Sequence, residues 1–107
     1  MDFGAVLEFM KKHPFINNYC VSSEDTPKYY KFRRRGWDGK HQYIFLTQGR
    51  KVPIDKWLGV LPPFNDGRFV IIHSHVDMIN EQGELITGWM ATQTDMLAED
   101  WELVDKW

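Results

Sequence analysis

KYYKFRRRGWDGKHQYIFL, residues Lys28 to Leu46, is the stretch on which the fold turns. Lys28 to Trp37 alternates around Tyr30 and Phe32, and His41 to Leu46 is again rich in aromatic and β-branched residues. Asp38-Gly39 stands between the two runs. Asp-Gly flanked by strand patterns is a strong hairpin signal, because both central residues of the tight turn take positive φ. The reading is an antiparallel pair with Trp37 at its tip.

Toward the N-terminus, Phe3, Val6, Leu7 and Met10 fall at i, i+3, i+4 and i+7, with Asp2 placed to cap the first turn and Pro14 closing the segment. That spacing predicts one short amphipathic helix. From His13 to Thr26 the pattern dissolves into polar residues around Tyr19 and Cys20, which reads as a loop. Toward the C-terminus, Thr47 to Arg68 carries Pro53, Pro62, Pro63 and three glycines, too many breakers for a long regular element. This stretch is expected to wrap the surface, with Trp57 and Leu58 as anchors. Phe69 to Ile79 is a β-rich run, and Leu85 to Met90 reads as a second strand beyond a Gly-bearing turn at Glu81 to Glu84. Thr92-Gln93-Thr94-Asp95 ahead of Met96-Leu97-Ala98 predicts a capped helical turn, and Trp101 to Val104 is a candidate to close the sheet. The expected architecture is α+β: a small antiparallel β-sheet with an N-terminal helix and a short C-terminal helical turn.

At 107 residues the chain has room for one domain, residues 1–107, and not for two. Thirteen Lys and Arg against fifteen Asp and Glu give a net charge of -2, so no overall basic field exists to hold a long nucleic acid. Cys20 is the single cysteine, which excludes an intrachain disulfide and agrees with a reducing compartment, the cytoplasm. No stretch approaches the roughly 20 apolar residues of a membrane span. Aromatic residues reach 15% with five Trp, more than a core of this size needs, so some rings are expected to face a ligand or another subunit.

Three constellations could carry chemistry. His73, His75 and Asp77 form H-x-H-x-D, and on one strand the period of two would put all three on one face, within reach of a metal. The same spacing also describes the polar face of any half-buried strand. Arg33-Arg34-Arg35 leads into Gly36-Trp37-Asp38-Gly39-Lys40, gathering cations, an aromatic plane and a tight turn within eight residues. Arg forks pair with phosphate oxygens and indole stacks on a base, so these are parts for an anionic, ring-bearing ligand; the structural alternative is a charge-protected edge strand with Trp37 packed beneath it. Thr92 to Asp95 offers hydroxyls, an amide and a carboxylate, or simply an N-cap. There is no P-loop, dinucleotide-binding glycine pattern or nucleophile elbow, and Cys20 has no local activating motif.

Phe3-Gly4-Ala5-Val6-Leu7, Arg35-Gly36-Trp37-Asp38-Gly39-Lys40, His75-Val76-Asp77-Met78 and above all the long run from Gly88 to Trp101 resemble, in order and spacing, the second Thoeris anti-defence family of phages. Departures are Asp38 where Asn is usual, Thr92 where Ser is common, and a His13–Thr26 loop longer than in typical members. The resemblance implies a sponge in the host cytoplasm. Such a protein binds glycocyclic ADP-ribose, the signal made by bacterial TIR-domain proteins, without degrading it, and some members also hold cyclic dinucleotides of the CBASS type at a separate site. It further implies a homotetramer with ligand pockets between protomers, no cofactor and no metal.

On that resemblance, Trp37 with Phe3 is expected to stack the adenine and Arg35 to meet the pyrophosphate beside Asp38. Thr92, Gln93, Thr94 and Asp95 are expected to bond ribose hydroxyls or base edges. Asp100 is expected either to contact ligand or to orient the arginine of the R-G-W segment from behind. The rival readings are a metal-dependent phosphodiesterase built on His73, His75 and Asp77, and a structural phage domain that uses its tryptophans at a protein interface.

Overall fold

The computed structural model describes residues 1–16, 29–37, 41–53 and 69–104. The loop centred on Cys20, the Asp38-Gly39 turn, and Trp57 and Leu58 lie outside these residues. Helix α1 (Phe3–Lys12) starts where the sequence places it: the Asp2 side chain accepts a hydrogen bond from the Ala5 N–H at 2.8 Å. Lys11 and Lys12 sit in its last turn, where cations complement the helix dipole. Its apolar stripe buries Val6 and Met10 completely against the sheet.

Among the described residues seven strands follow: β1 (Phe32–Arg34), β2 (Tyr43–Thr47), β3 (Arg50–Pro53), β4 (Phe69–Ile72), β5 (His75–Ile79), β6 (Leu85–Ile86) and, after helix α2 (Gln93–Leu97), β7 (Trp101–Leu103). Five of them form an antiparallel sheet in the order β6-β5-β2-β1-β7, and β3 pairs with β4. The α+β architecture read from the sequence is therefore the architecture of the protein, and Trp101–Leu103 closes the sheet against β1.

Two strand readings need correction. Phe69 to Ile79 is not one strand, because the ladder breaks at His73-Ser74. Its partner breaks opposite, at Gln48-Gly49, yet the register is unchanged across the gap, with Tyr43 opposite Ile79 and Arg50 opposite Ile72. The four strands are thus one long antiparallel ribbon whose ladder is interrupted at a single level. Gly49 sits at this interruption: a Cβ there would lie 2.6 Å from the Ile72 carbonyl oxygen and 2.8 Å from the Ser74 nitrogen, and its own N–H donates to Ser74 Oγ at 2.8 Å. Arg50–Pro53 adds a strand inside the Pro- and Gly-rich stretch, and at 4 residues, ending on Pro53, it is short enough to coexist with those breakers. Leu85 to Met90 likewise pairs only at Leu85–Ile86; Gly88, at φ +69°, turns the chain out of the ladder, and its N–H donates to Asp77 Oδ1 at 2.9 Å.

Cross-strand pairing sorts the side chains by face. Phe32, Ile44, Met78 and Trp101 join Val6 and Met10 in the core beneath α1, while Phe45, Thr47 and Asp77 are buried on the opposite face. Among the described residues no helix is long and apolar enough to cross a membrane.

Candidate functional site

Four aromatic rings meet at the end of the sheet where α1 begins and α2 ends. Trp101 is the hub, 2% exposed, with its indole N–H donating to the Asp95 carbonyl at 2.9 Å. Phe3 lies 5.2 Å from it and Trp37 5.3 Å, and Trp89 completes the group at 6.3 Å. Most of these contacts are edge-on, the geometry that aromatic quadrupoles favour. Phe3, Trp37 and Trp89 are only half-buried, so part of each ring reaches solvent.

β1 and β2 pair antiparallel as the sequence predicts, and Trp37 lies in the connection between them. Its N–H donates to the Arg34 carbonyl at 3.1 Å, and this turn folds the ring back onto Trp101 and Trp89 before Asp38-Gly39 is reached. Asp38 itself lies outside the described residues.

The three arginines divide by strand parity. Arg34 shares the face of Phe32 and pairs opposite Trp101, so its guanidinium points toward α2. Nη1 donates to Asp95 Oδ1 at 3.0 Å, Nε to Asp100 Oδ1 at 2.9 Å and Nη2 to Asp100 Oδ2 at 3.4 Å. Hydrogen bonds to Asp100 and then Asp95 push the Arg34 pKa up, and the same contact with Arg34 holds the Asp100 carboxyl below its ordinary range. Arg33 falls on the other face and pairs with Glu102 at 3.0 Å. Arg35, also on that side, is 77% exposed, with Glu102 3.9 Å away. The Asp100 carboxylate therefore pairs with Arg34 and not with the arginine of R-G-W, while its carbonyl accepts the Arg35 N–H at 3.1 Å.

Thr92 caps α2 in a reciprocal box: its hydroxyl accepts from the Asp95 N–H at 3.1 Å, and Asp95 Oδ2 accepts from the Thr92 N–H at 3.3 Å. Asp95 thus spends both oxygens within the protein, one on the cap and one on Arg34. Gln93 and Thr94 are exposed on the first turn.

The structure brings Phe3, Trp37, Arg35, Asp95 and Asp100 to one end of the sheet, linked through Arg34 and Trp101, with Thr92, Gln93 and Thr94 carried there by α2. Arg34 and Trp89 went unread as site residues. The only signal for Arg34 was its two-residue spacing from Phe32, and for Trp89 its place in the Gly88–Trp101 run.

H-x-H-x-D is divided. His73 falls in the interruption outside β5, so only His75 and Asp77 share the strand face, with His75 Nε2 3.2 Å from Asp77 Oδ2. His75 Nδ1 lies 2.8 Å from the His73 carbonyl, the one part His73 contributes. Asp77, 3% exposed, also accepts from Thr47 Oγ1 at 2.6 Å and from the Gly88 N–H. Among the described residues no three His, Cys, Asp or Glu side chains are gathered as a metal ion would need.

Residues 1–104 match the family described as the Thoeris anti-defense 2-like domain. One relative, the Thoeris anti-defense 2 protein of Bacillus phage SP01, is 32% identical over 104 residues, covering 97% of this chain and 94% of that protein.

Proposed function

The chain belongs to the Thoeris anti-defense 2-like family, and on that premise we propose that it is a phage anti-defence sponge that captures glycocyclic ADP-ribose in the host cytoplasm and releases it unchanged. The observation that supports this reading is the group of half-buried aromatic rings beside the hydroxyl-bearing α2 turn, with Arg35, 77% exposed, at the adjoining end of β1.

Each part has a role suited to its chemistry. Trp37 and Phe3 offer a surface for the adenine, and Trp89 widens it. Arg35, whose guanidinium reaches solvent, pairs with the pyrophosphate beside Asp38. Thr92, Gln93 and Thr94 meet ribose hydroxyls. Asp95 and Asp100 act one step back, because Arg34 already takes their oxygens; they hold the α2 turn in place. The reading includes a homotetramer with the pocket between protomers, since a site on one sheet end cannot enclose a ligand by itself. It also includes cyclic dinucleotides as second cargo.

The test is to incubate purified protein with the cyclic nucleotide, remove free ligand, heat-denature the complex and analyse what is released. Intact ligand in stoichiometric amount is expected. Hydrolysed product, or no retention, overturns the sponge. Binding is expected to survive EDTA and to gain nothing from Zn²⁺, Mn²⁺ or Mg²⁺, as calorimetry with and without each additive would register.

A further inference from the structure

On the face of the sheet opposite α1, where the ladder of the ribbon is interrupted, lies a cavity of about 410 Å³ that the aromatic site does not use. That volume falls within the range of small-molecule pockets. Phe15, Phe45, Ile72 and Leu85 provide apolar walls, and Arg50 supplies a cation. The Nε of Arg50 is buried and has no hydrogen-bond partner. A buried donor left unmatched costs free energy, and native proteins rarely keep one without a use.

Asp77, the acid on the wall, does not answer it. Asp77 already accepts from Thr47 Oγ1 at 2.6 Å and from the Gly88 N–H at 2.9 Å, and His75 Nε2 lies 3.2 Å from it. Its oxygens are already engaged by these neighbours. Arg carries donors only, and an acceptor must come from outside the wall. A forked guanidinium matches the two oxygens of a carboxylate or phosphate. Apolar walls in turn reject a bare, strongly hydrated ion and favour one attached to a flat apolar body.

We propose that this cavity is a second binding site, for a small organic oxyanion whose head group pairs with Arg50 and whose aryl body packs between Phe45 and Leu85. The site is distinct from the aromatic end of the sheet and does not depend on the function proposed for it. The wall is also wired to that end: Asp77 holds the Gly88 N–H, and the next residue, Trp89, donates its N–H to the Val76 carbonyl at 2.8 Å.

Methyl and indole NMR spectra of the full chain, titrated in parallel with benzoate, phenyl phosphate, acetate and inorganic phosphate, test the proposal. Benzoate or phenyl phosphate is expected to shift the Ile72 and Leu85 methyls with a dissociation constant of about 0.1 to 1 mM, and acetate and inorganic phosphate to bind at least about tenfold more weakly. Which aryl probe binds more tightly identifies the head group as carboxylate or phosphate. Arg50→Gln is expected to weaken the preferred probe by about tenfold to a hundredfold, and Arg50→Lys by less, because a point charge remains without the fork. If Arg50→Gln does not fold, Thr87→Trp, which fills the mouth from an exposed position, gives the same loss. Equal binding of acetate and benzoate, shifts confined to the tryptophan indoles, or full affinity in Arg50→Lys and Thr87→Trp together would overturn it.

Discussion

Arg34 and Arg35 are adjacent and chemically identical, yet one is a clamp inside the protein and the other reaches 77% exposure. The difference is strand parity, which the sequence contains but does not orient: either arginine could have shared the inward face until Phe32 was known to be buried. The R-G-W motif marks the end of β1, while the inward direction of Arg34 had to come from the pairing of β1 with β7. Arg35→Gln is therefore expected to leave the melting temperature unchanged and to lower nucleotide affinity by about tenfold or more, read by calorimetry. Arg34→Gln should lower the melting temperature, and affinity with it, because Asp95 and Asp100 lose their shared partner. Trp37→Ala should do both independently. Removing a half-buried ring costs about 1 to 3 kcal/mol of stability, and the lost stacking costs about tenfold to several-hundred-fold in affinity even where circular dichroism shows the variant fully folded. Tyr43 carries a pH signature. Burial, then the neighbouring Tyr29, raises its pKa from 10.0 to about 12. Below pH 10 its contribution to stability is fully present; as pH climbs through this window the unfolded chain gives up its proton first, so stability falls. Alkaline melting curves should show this loss in the parent and a shallower one in Tyr43→Phe.

At the scale of elements, α1, its cap, the β5–β6 turn and the closing strand were legible because their determinants are local: a 3.6-residue stripe, an Asx cap, Gly83 at φ +79°. The interruption in the ribbon was not. Nothing in His73-Ser74 breaks a strand; the break is set by contact with Gly49, 25 residues from Ser74 in sequence, where two backbones approach too closely for a side chain. Sequence periodicity reports one strand at a time and carries no trace of that approach. The same interruption leaves His73 outside the strand that carries His75 and Asp77, and the metal-like spacing is not a metal-like cluster among the described residues. Gly49→Ala is accordingly expected to destabilise by about 1 to 3 kcal/mol, since the added methyl meets backbone atoms that cannot swing aside. Gly36→Ala, with nothing within 4 Å of the new Cβ, serves as the comparison and should be neutral or stabilising by up to about 1 kcal/mol. Urea denaturation of the two variants measures the contrast, and equal midpoints would mean the close approach is softer than its geometry indicates.

At the scale of the molecule, the unusual feature is how much apolar surface remains outside. Phe69 and Ile71 on β4 are 55% and 64% exposed, and Leu85 on the edge strand β6 is 56% exposed. Met90 and Leu97, at 85% and 80%, flank the very turn that bears Thr92, Gln93 and Thr94. Isolated exposed apolar residues are ordinary, but side chains this bare on either side of a candidate site are the kind of surface that an interface between copies would cover. A second copy of the chain supplies a cover of matching character at no cost in new sequence, and a closed symmetric assembly uses up such surfaces without leaving an edge. Light scattering at micromolar concentration is expected to give four times 12.7 kDa. The sharper test joins assembly to function. Leu97→Glu places a charge on a position with almost no contacts inside its own chain, so circular dichroism should not change. If the pocket lies between protomers, the same substitution should reduce the mass and the nucleotide affinity together, the latter by about tenfold or more because the ligand loses one wall of its enclosure. A lone 12.7 kDa particle in the parent protein, or a dissociated Leu97→Glu that binds as well as the parent, would place the whole ligand site within a single chain.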